Sequence, residues 1–349
     1  MPIKVLIVDD SLFMRTLVSD MLNSDPEIEV IDTAKNGAEA VNKISKIRPD
    51  CITLDLAMPG WDGLTTLKHI MNRYPTPVVI LSAYSRKDAD ITIECLNAGA
   101  VSFVLKPSGE LSLDIKTVKA RLIKEIKAAA GVDVGKIRLP ACKKPETRGR
   151  KLIGISKIVV IGASTGGPQI LASILTSIPS DFSAPIIIAQ HIPSIFFTES
   201  LAEHLNRNCE LPVTSAGNNE IIGCGAVYLV PSGFHLMLKR RTEVNKGTME
   251  VSISLSEDKS SILTPSIDEI MESVASLYKE NTIGIILTGM GNDGVLGMTA
   301  IKKYGGKTIV QDESSLIFGM PKAVIEAGLA DKVLPADQMA GAIVEAVRD

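Results

Sequence analysis

A serine flanked by glycines follows a short apolar run in residues 157–169, which read KIVVIGASTGGPQ. Three interpretations compete: a nucleotide-binding loop, the nucleophile turn of an esterase, and an ordinary glycine-rich turn. A dinucleotide loop needs glycine where Ser164 stands, and a Walker loop needs Gly-Lys-Ser/Thr where this chain has Gly-Gly-Pro168. The pattern Gly-x-Ser-x-Gly between a strand and a helix is typical of a projecting serine nucleophile. The interpretation as an ordinary glycine-rich turn remains an alternative until a catalytic base is identified.

A serine nucleophile needs a base, and the chain has four histidines. Three lie in predicted helices or a predicted hairpin: His69, His204 and His235. His191 instead ends the apolar run PIIIAQH, at the same carboxyl edge of a parallel sheet as Ser164. Asp293, in the glycine-rich loop LTGMGNDG after another apolar run, is the candidate that would orient the base. The chain order Ser, His, Asp differs from the Ser, Asp, His of α/β-hydrolases, so the pattern does not indicate that family.

Acidic and hydroxyl side chains also end several apolar runs near the N-terminus. Asp9 and Asp10 follow the first run, Asp55 lies in the third, Ser82 ends the fourth and Lys106 follows the fifth. Carboxylates that converge on one sheet edge repel each other unless a cation binds there, and hard oxygen ligands suit Mg²⁺. One carboxylate could then attack a phosphoryl group, with the lysine and the hydroxyl stabilising the charge that develops.

The elements that would position these residues alternate regularly. Short β-branched runs separated by amphipathic stretches predict five βα units in the first ~120 residues, with buried parallel strands. The first helix is expected to bury one face, made of Leu12, Val18, Met21 and Leu22. Residues 123–153 are polar, basic and interrupted by Gly and Pro, which predicts a linker. A second alternation begins at Lys157, with an antiparallel hairpin predicted between Ala226 and Leu255. The fold class is therefore α/β, with domains at 1–122 and 154–349.

Bulk composition excludes several classes of protein. The net charge of −3 argues against a nucleic-acid partner, because phosphate binding needs a concentrated basic surface. The sequence has no run of ~18 apolar residues, so it predicts no membrane-spanning helix, and its N-terminus does not resemble a signal peptide. Five scattered cysteines without a C-x-x-C pair favour reduced thiols and a cytoplasmic location.

The first unit resembles response-regulator receiver domains in the segments VDDS, DLAMPGWDG, LSAY and LKP. The resemblance implies a flavodoxin-like (βα)5 fold over residues 1–122. It also implies Asp55 as the phosphoacceptor, Mg²⁺ held by Asp9, Asp10 and Asp55, and phosphoryl-binding or switch roles for Ser82, Lys106 and Phe103. A histidine kinase of a chemotaxis pathway would be the phosphodonor.

The second unit resembles chemotaxis protein-glutamate methylesterases, which are also glutamine deamidases. The shared segments are IGASTGGP, QHIP, VYLVPSGFH, TPSIDEIMESVA, ILTGMGNDGVLGM and QDESSLIFGMPKAV. The resemblance implies a doubly wound, mostly parallel sheet and a triad of Ser164, His191 and Asp293. Met290, through its backbone N–H, and Thr165 would stabilise the oxyanion, and the ester reaction would need no cofactor.

The implied substrates are methylated glutamates and certain glutamines in the cytoplasmic domains of chemoreceptors. The resemblance further implies that the unphosphorylated receiver covers the catalytic cleft. Two other classes of function are alternatives to this one. A transcriptional regulator predicts a basic helix-turn-helix output, and a non-catalytic module on the same fold predicts that the trio is incomplete.

Overall fold

The computed structural model describes residues 1–107, 115–134, 156–242, 249–257 and 264–349. They form two compact units, Met1–Arg138 and Leu139–Asp349, each with its own parallel sheet.

Five strands alternate with five helices in the first unit, as predicted. Their bounds in chain order are β1 Ile3–Val8, α1 Leu12–Asn23, β2 Ile28–Ala34, α2 Gly37–Ile47, β3 Cys51–Asp55, α3 Gly63–Arg73, β4 Val78–Ser82, α4 Arg86–Asn97, β5 Ser102–Leu105 and α5 Ile115–Ala130. The strands pair in parallel in the order β2-β1-β3-β4-β5. The order reverses between β1 and β3, and a reversal of this kind opens a ligand-binding crevice at the carboxyl ends of the two strands.

Helix α1 corrects one sequence expectation. Val18, Met21 and Leu22 are buried, but Leu12 is 70% exposed. At about 100° per residue, Leu12 lies roughly opposite Met21 around the helix, so it cannot share the buried face.

Helix α5 extends past the predicted domain boundary at residue 122 and ends at Ala130. Ile126 and Ala129 are fully buried, so apolar packing holds the helix beyond the boundary. Residues 135–153 of the predicted linker lie outside the described residues.

The second unit has seven parallel strands, a separate hairpin and six α-helices among the described residues. Their bounds are β6 Ile158–Ala163, α6 Gly167–Leu175, β7 Ile186–Gln190, α7 Ile195–Asn208, β8 Val213–Ser215, β9 Val227–Leu229, β10 Phe234–Thr242, β11 Met249–Glu257, α8 Ile267–Tyr278, β12 Thr282–Ile286, α9 Val295–Lys303, β13 Lys307–Gln311, α10 Met320–Glu326, β14 Lys332–Leu334 and α11 Met339–Arg348. The parallel sheet has the order β14-β13-β12-β6-β7-β9-β8. The order reverses between β6 and β12, which creates a second crevice of the same type.

The antiparallel hairpin begins later than expected. Val227–Leu229, which the sequence placed in its first arm, is a strand of the parallel sheet instead. Strands β10 and β11 form the hairpin, with Phe234 opposite Glu257. Its apolar face, which includes Leu236 and Ile253, packs in the same core cluster as helix α8.

Candidate functional site

Three carboxylates meet at the crevice of the first sheet. Asp9 follows β1, Asp55 ends β3, and one oxygen from each of Asp9, Asp10 and Asp55 lies within 4.8 Å of the others. Asp9 and Asp55 are buried, whereas Asp10 is exposed. A set of hard oxygen ligands with one open side fits Mg²⁺, which keeps several waters and bridges to phosphate.

Lys106 neutralises two of these carboxylates. Its Nζ lies 2.8 Å from Asp9 Oδ2 and 2.8 Å from Asp55 Oδ1. Burial alone would lower the pKa of Lys106, but the hydrogen bonds to Asp55 and Asp9 outweigh burial and raise it. Burial raises the pKa of Asp55 despite the lysine, and the nearby Asp9 adds to that rise. Positive charge beyond that of the one ammonium group would therefore stabilise the ionised form of this carboxylate cluster.

Two further residues with predicted phosphoryl-binding or switch roles lie on β4 and β5. Ser82 ends β4, its hydroxyl accepts a hydrogen bond from Thr92 Oγ1 at 3.0 Å, and its carbonyl accepts one from Lys106 N at 2.8 Å. Phe103 lies on the edge strand β5, where it pairs with Ile80 of β4, and is 6% exposed. The structure thus brings Ser82 to the same edge as Lys106 and leaves Phe103 in the buried layer behind it.

Ser164 stands at the crevice of the second sheet, directly after β6. Gly166, the residue before helix α6, has φ of +80°, a backbone conformation that favours glycine and allows the tight turn. Gly289, in the loop after β12, passes so close that a Cβ there would lie 2.7 Å from Ser164 Cβ. The serine therefore sits between two strand ends, where only small neighbours fit.

His191 and Asp293 form a direct pair. His191 follows β7, and its Nε2 lies 2.8 Å from Asp293 Oδ2. This contact leaves Nδ1 as the ring nitrogen that can accept a proton. In the part of the chain that the structure describes, Ser164 Oγ makes no hydrogen bond to the imidazole. Catalytic hydrogen bonds are often formed only when substrate is bound.

The carboxylate of Asp293 is held on both oxygens. Oδ2 also accepts a hydrogen bond from Ile267 N, and Oδ1 accepts one from Asp268 N, both at 3.0 Å and both at the start of α8. Burial raises the pKa of Asp293, but the bonds from His191 and from the helix N–H groups outweigh it and lower the pKa. An ionised Asp293 is what stabilises an imidazolium.

A line of buried polar side chains fixes the serine loop. Gln190 Nε2 donates to Ser164 O at 2.8 Å and to His191 O at 3.0 Å. On the other side, Ser164 N donates to Thr288 O, and Thr288 N donates to Gln311 Oε1, each at 3.0 Å. We call Gln311, Thr288 and Gln190 the polar belt. It crosses the ends of four adjacent strands, β13, β12, β6 and β7, and holds the Ser164 backbone from both sides.

The two predicted oxyanion residues lie beside the serine. Thr165 is 8% exposed, and its carbonyl accepts a hydrogen bond from Thr288 Oγ1 at 2.9 Å. Met290 is half-buried, between Gly289 and Gly291, in the loop that leads to Asp293. Gly319 packs against this loop, since a Cβ there would lie 3.1 Å from Met290 Cα.

The other histidines lie elsewhere. His69 stacks on Trp61 with ring centroids 4.2 Å apart, and His204 lies on α7. His235 is buried on β10, with Nδ1 2.9 Å from Glu269 Oε2. His191 is therefore the histidine that the fold brings to Asp293.

The polar belt and Asp268 were not predicted from the sequence. Each belt residue interrupts or directly follows an aliphatic run, as Gln190 does in PIIIAQ and Gln311 in KTIVQ. A polar side chain in an otherwise buried strand needs a hydrogen-bonding partner, and that requirement is a signal that could have found them.

No helix within the described ranges has the length and apolar character needed to cross a membrane.

Comparison with known proteins gives matches over both units. The profile of the CheB methylesterase family matches residues 159–343, and that of the response regulator receiver domain matches residues 5–116. A Thermotoga maritima protein named protein-glutamate methylesterase/protein-glutamine glutaminase is 42% identical, over 99% of this chain and 98% of its own length. One of the same name from Archaeoglobus fulgidus is 43% identical, over 98% of this chain and 97% of its own length.

A solved structure matches the second unit. The crystal structure of the Thermotoga maritima CheB methylesterase catalytic domain aligns with a TM-score of 0.50 and 44% identity. The alignment covers 54% of this chain and 98% of that domain.

Proposed function

Since the chain belongs to the CheB methylesterase family, we propose that it hydrolyses glutamate methyl esters and deamidates glutamines in the cytoplasmic domains of chemoreceptors. A response regulator receiver at its N-terminus, phosphorylated by a histidine kinase of the chemotaxis pathway, would control this activity during adaptation. The proposed domains are a receiver at 1–122, a linker at 123–153 and a catalytic domain at 154–349. The proposed location is the cytoplasm, where the free cysteines among the described residues would stay reduced.

The observation that carries the proposal is the 2.8 Å bond between His191 Nε2 and Asp293 Oδ2 at the sheet edge where Ser164 stands. His191 would accept the Ser164 proton on Nδ1 while Oγ attacks the ester carbonyl. The tetrahedral intermediate would expel methoxide, which takes that proton and leaves as methanol. Water, deprotonated in turn by His191, would hydrolyse the acyl-enzyme and release glutamate. With glutamine as substrate, the leaving group would be ammonia.

The oxyanion of the intermediate needs donors that are fixed before the reaction begins. Met290 N–H and Thr165 are the proposed donors. Their support is positional: Thr165 follows the nucleophile, and Met290 lies in the loop between β12 and the orienting aspartate. The held carbonyls of Ser164 and Thr165 fix the peptide planes of the serine turn, because peptide groups are rigid.

Substitution of the nucleophile tests the reaction. We expect Ser164→Ala to lower methanol release from methylated chemoreceptor by about 10⁴-fold or more. Ser276→Ala, which changes an exposed serine on α8, is the matched control and should match the parent protein. Near-normal methanol release by Ser164→Ala would refute the assignment. Phosphorylation of Asp55 should persist in both variants.

For the receiver, Asp55 is the proposed phosphoacceptor, and Asp9, Asp10 and Asp55 are the proposed Mg²⁺ ligands. The ion would shield the negative charge of an incoming phosphoryl group. Lys106 would contact the phosphoryl oxygens, Ser82 would donate its hydroxyl to them, and Phe103 would respond to that movement. Asp55→Asn should abolish acid-labile phosphorylation by a small phosphodonor, whereas Asp50→Asn, at an exposed carboxylate before β3, should not.

Regulation by covering of the catalytic cleft has its own test. A chain starting near Gly154 should release methanol faster than the full chain without phosphodonor, and at a rate similar to that of the phosphorylated full chain. A folded truncation that is no faster than the unphosphorylated chain would refute this mode of control.

A further inference from the structure

Helices α8 and α9 start side by side, and each receives a carboxylate from the other. Asp293, just before α9, accepts hydrogen bonds from Ile267 N and Asp268 N at the start of α8. Asp268, in the first turn of α8, accepts hydrogen bonds from Gly294 N at 2.8 Å and Gly297 N at 2.7 Å at the start of α9. We call this reciprocal pair, Asp268 and Asp293, the carboxylate clasp.

The clasp answers an electrostatic need of the two helices. Each helix start carries unpaired N–H groups and a partial positive charge, so two such ends brought together need acceptor oxygens between them. The glycines allow the approach: Gly294 has φ of +104°, and a Cβ on Gly297 would lie 2.6 Å from Met271 Cβ. A side chain at position 297 would push α9 away from α8, and one at position 294 would strain the backbone and overlap Ile286 of β12.

The loop that carries Asp293 is attached through Asp268. Gly294 directly follows Asp293, so the bond from Gly294 N to Asp268 Oδ1 anchors the chain one residue from the carboxylate that holds His191. Within the described residues the imidazole of His191 bonds to Asp293 and not to Asp268, so the effect of Asp268 on His191 passes through the position of Asp293.

We propose that Asp268 is a positioning residue of the hydrolytic reaction, which fixes Asp293 and through it the orientation of His191. The inference rests on the proposed function for its role in catalysis, but the positioning itself has a separate readout.

The charge distribution agrees with this division of roles. Burial and the neighbouring Asp293 raise the pKa of Asp268, whereas the bonds from His191 and α8 lower the pKa of Asp293. The negative charge is therefore more firmly held on the residue that faces the imidazole. What Asp268 supplies is one well-placed acceptor oxygen.

Both bonds that Asp268 accepts fall on the same oxygen, Oδ1. An asparagine keeps that oxygen and loses the charge, whereas a glutamate keeps the charge and moves the oxygen by one methylene. Positioning therefore predicts that Asp268→Asn keeps kcat within about 3-fold of the parent. Asp268→Glu and Asp268→Ala should lose about 10- to 100-fold in kcat with little change in KM, because a 1 Å misplacement near the reacting groups costs about 10²-fold.

Asp293 gives the contrasting case, because it uses both oxygens and its charge faces the imidazole. Asp293→Asn should lose about 10⁴-fold in kcat. Glu272→Ala, at an exposed acid on the same helix, is the control and should equal the parent.

Proton NMR of the full chain supplies the readout that does not depend on activity. The downfield proton of the His191–Asp293 hydrogen bond should persist in Asp268→Asn and be lost or shifted in Asp268→Glu and Asp268→Ala. Thermal unfolding checks that each variant is folded. If Asp268→Ala does not fold, the comparison of kcat between Asp268→Asn and Asp268→Glu still tests the proposal.

Two results would overturn the proposal: Asp268→Glu more active than Asp268→Asn, or all three Asp268 variants equal to Glu272→Ala. Failure of the parent protein to release methanol, with the NMR pattern as expected, would instead count against the proposed function alone.

Discussion

A methyl group added at Gly167 would overlap Gln190 Oε1 and lie 2.8 Å from Gln190 Cδ. The Gln190 side chain is flexible, so it can move away, but its Nε2 would then lose Ser164 O and His191 O. Two such bonds are worth about 1–3 kcal/mol together. Alanine returns at most about 1 kcal/mol of helix propensity, and less in the first turn of α6. The expected net loss of stability for Gly167→Ala is therefore about 1–2 kcal/mol.

Catalysis should suffer more than stability, because Gln190 links the backbones of the nucleophile and the base. We expect kcat for methanol release to fall about 10- to 100-fold, and the calorimetric midpoint of the catalytic unit to fall by about 3–6 °C. Gly341→Ala is the matched control, since a Cβ there meets nothing within 4 Å on helix α11. It should raise the midpoint by about 1–3 °C and leave kcat unchanged. If Gly167→Ala matches Gly341→Ala in both quantities, the role given to Gln190 is wrong.

Three further predictions concern charge. Lys106→Met removes the cation between two buried carboxylates, so without Mg²⁺ the free energy of unfolding of the receiver should fall by about 3 kcal/mol. Urea unfolding followed by the fluorescence of Trp61, the single tryptophan, measures this loss, and millimolar Mg²⁺ should restore part of it. An unchanged free energy of unfolding would contradict the ion-pair geometry. The folded pKa of Asp268 is raised, so its ionisation costs stability, and this cost accumulates as pH rises from the ordinary value of 3.8 to the folded value. The stability of Asp268→Asn relative to the parent should therefore increase over that interval and stay constant above it, and a flat or falling difference would contradict the shift. The folded pKa of Asp293 is lowered, so the effect on stability has the opposite sign. The ionised carboxylate stabilises the fold fully above the ordinary value of 3.8, and this stabilisation is lost only as pH falls through the lower folded value. The loss of stability in Asp293→Asn should therefore be constant from about pH 5 to 8 and shrink only in stronger acid.

The sequence predicted the sheets well because their strands are nearly continuous aliphatic runs, and both units have the α/β fold that these runs indicated. It missed β8 and β14, which have three residues each and lie at sheet edges, where a short segment has no distinctive period. It placed Ala226 to Leu229 in the hairpin because alternation of apolar residues does not tell a parallel partner from an antiparallel one.

The candidate sites were predictable to the extent that they depend on strand ends. Ser164, His191 and the loop with Asp293 follow the adjacent strands β6, β7 and β12, so counting apolar runs was enough to bring them to one edge. Asp268 was not predictable in this way, because at the sequence level it is an acid in the first turn of a helix. Its partners, Gly294 and Gly297, are more than 20 residues away in the chain, and only the packing of α8 against α9 joins them.

The carboxylate clasp has a consequence for protein engineering. Asp293 cannot be transferred to another scaffold as a single side chain, because its two oxygens depend on the start of α8 and its loop depends on Asp268. The smallest transferable unit is a pair of helices that face each other at their N-termini, with the strand β12 between them in the chain. Libraries that randomise Asp268, Gly294 and Gly297 one position at a time should therefore return the two parent glycines and, at position 268, only aspartate and asparagine, whereas simultaneous randomisation should recover alternative pairs.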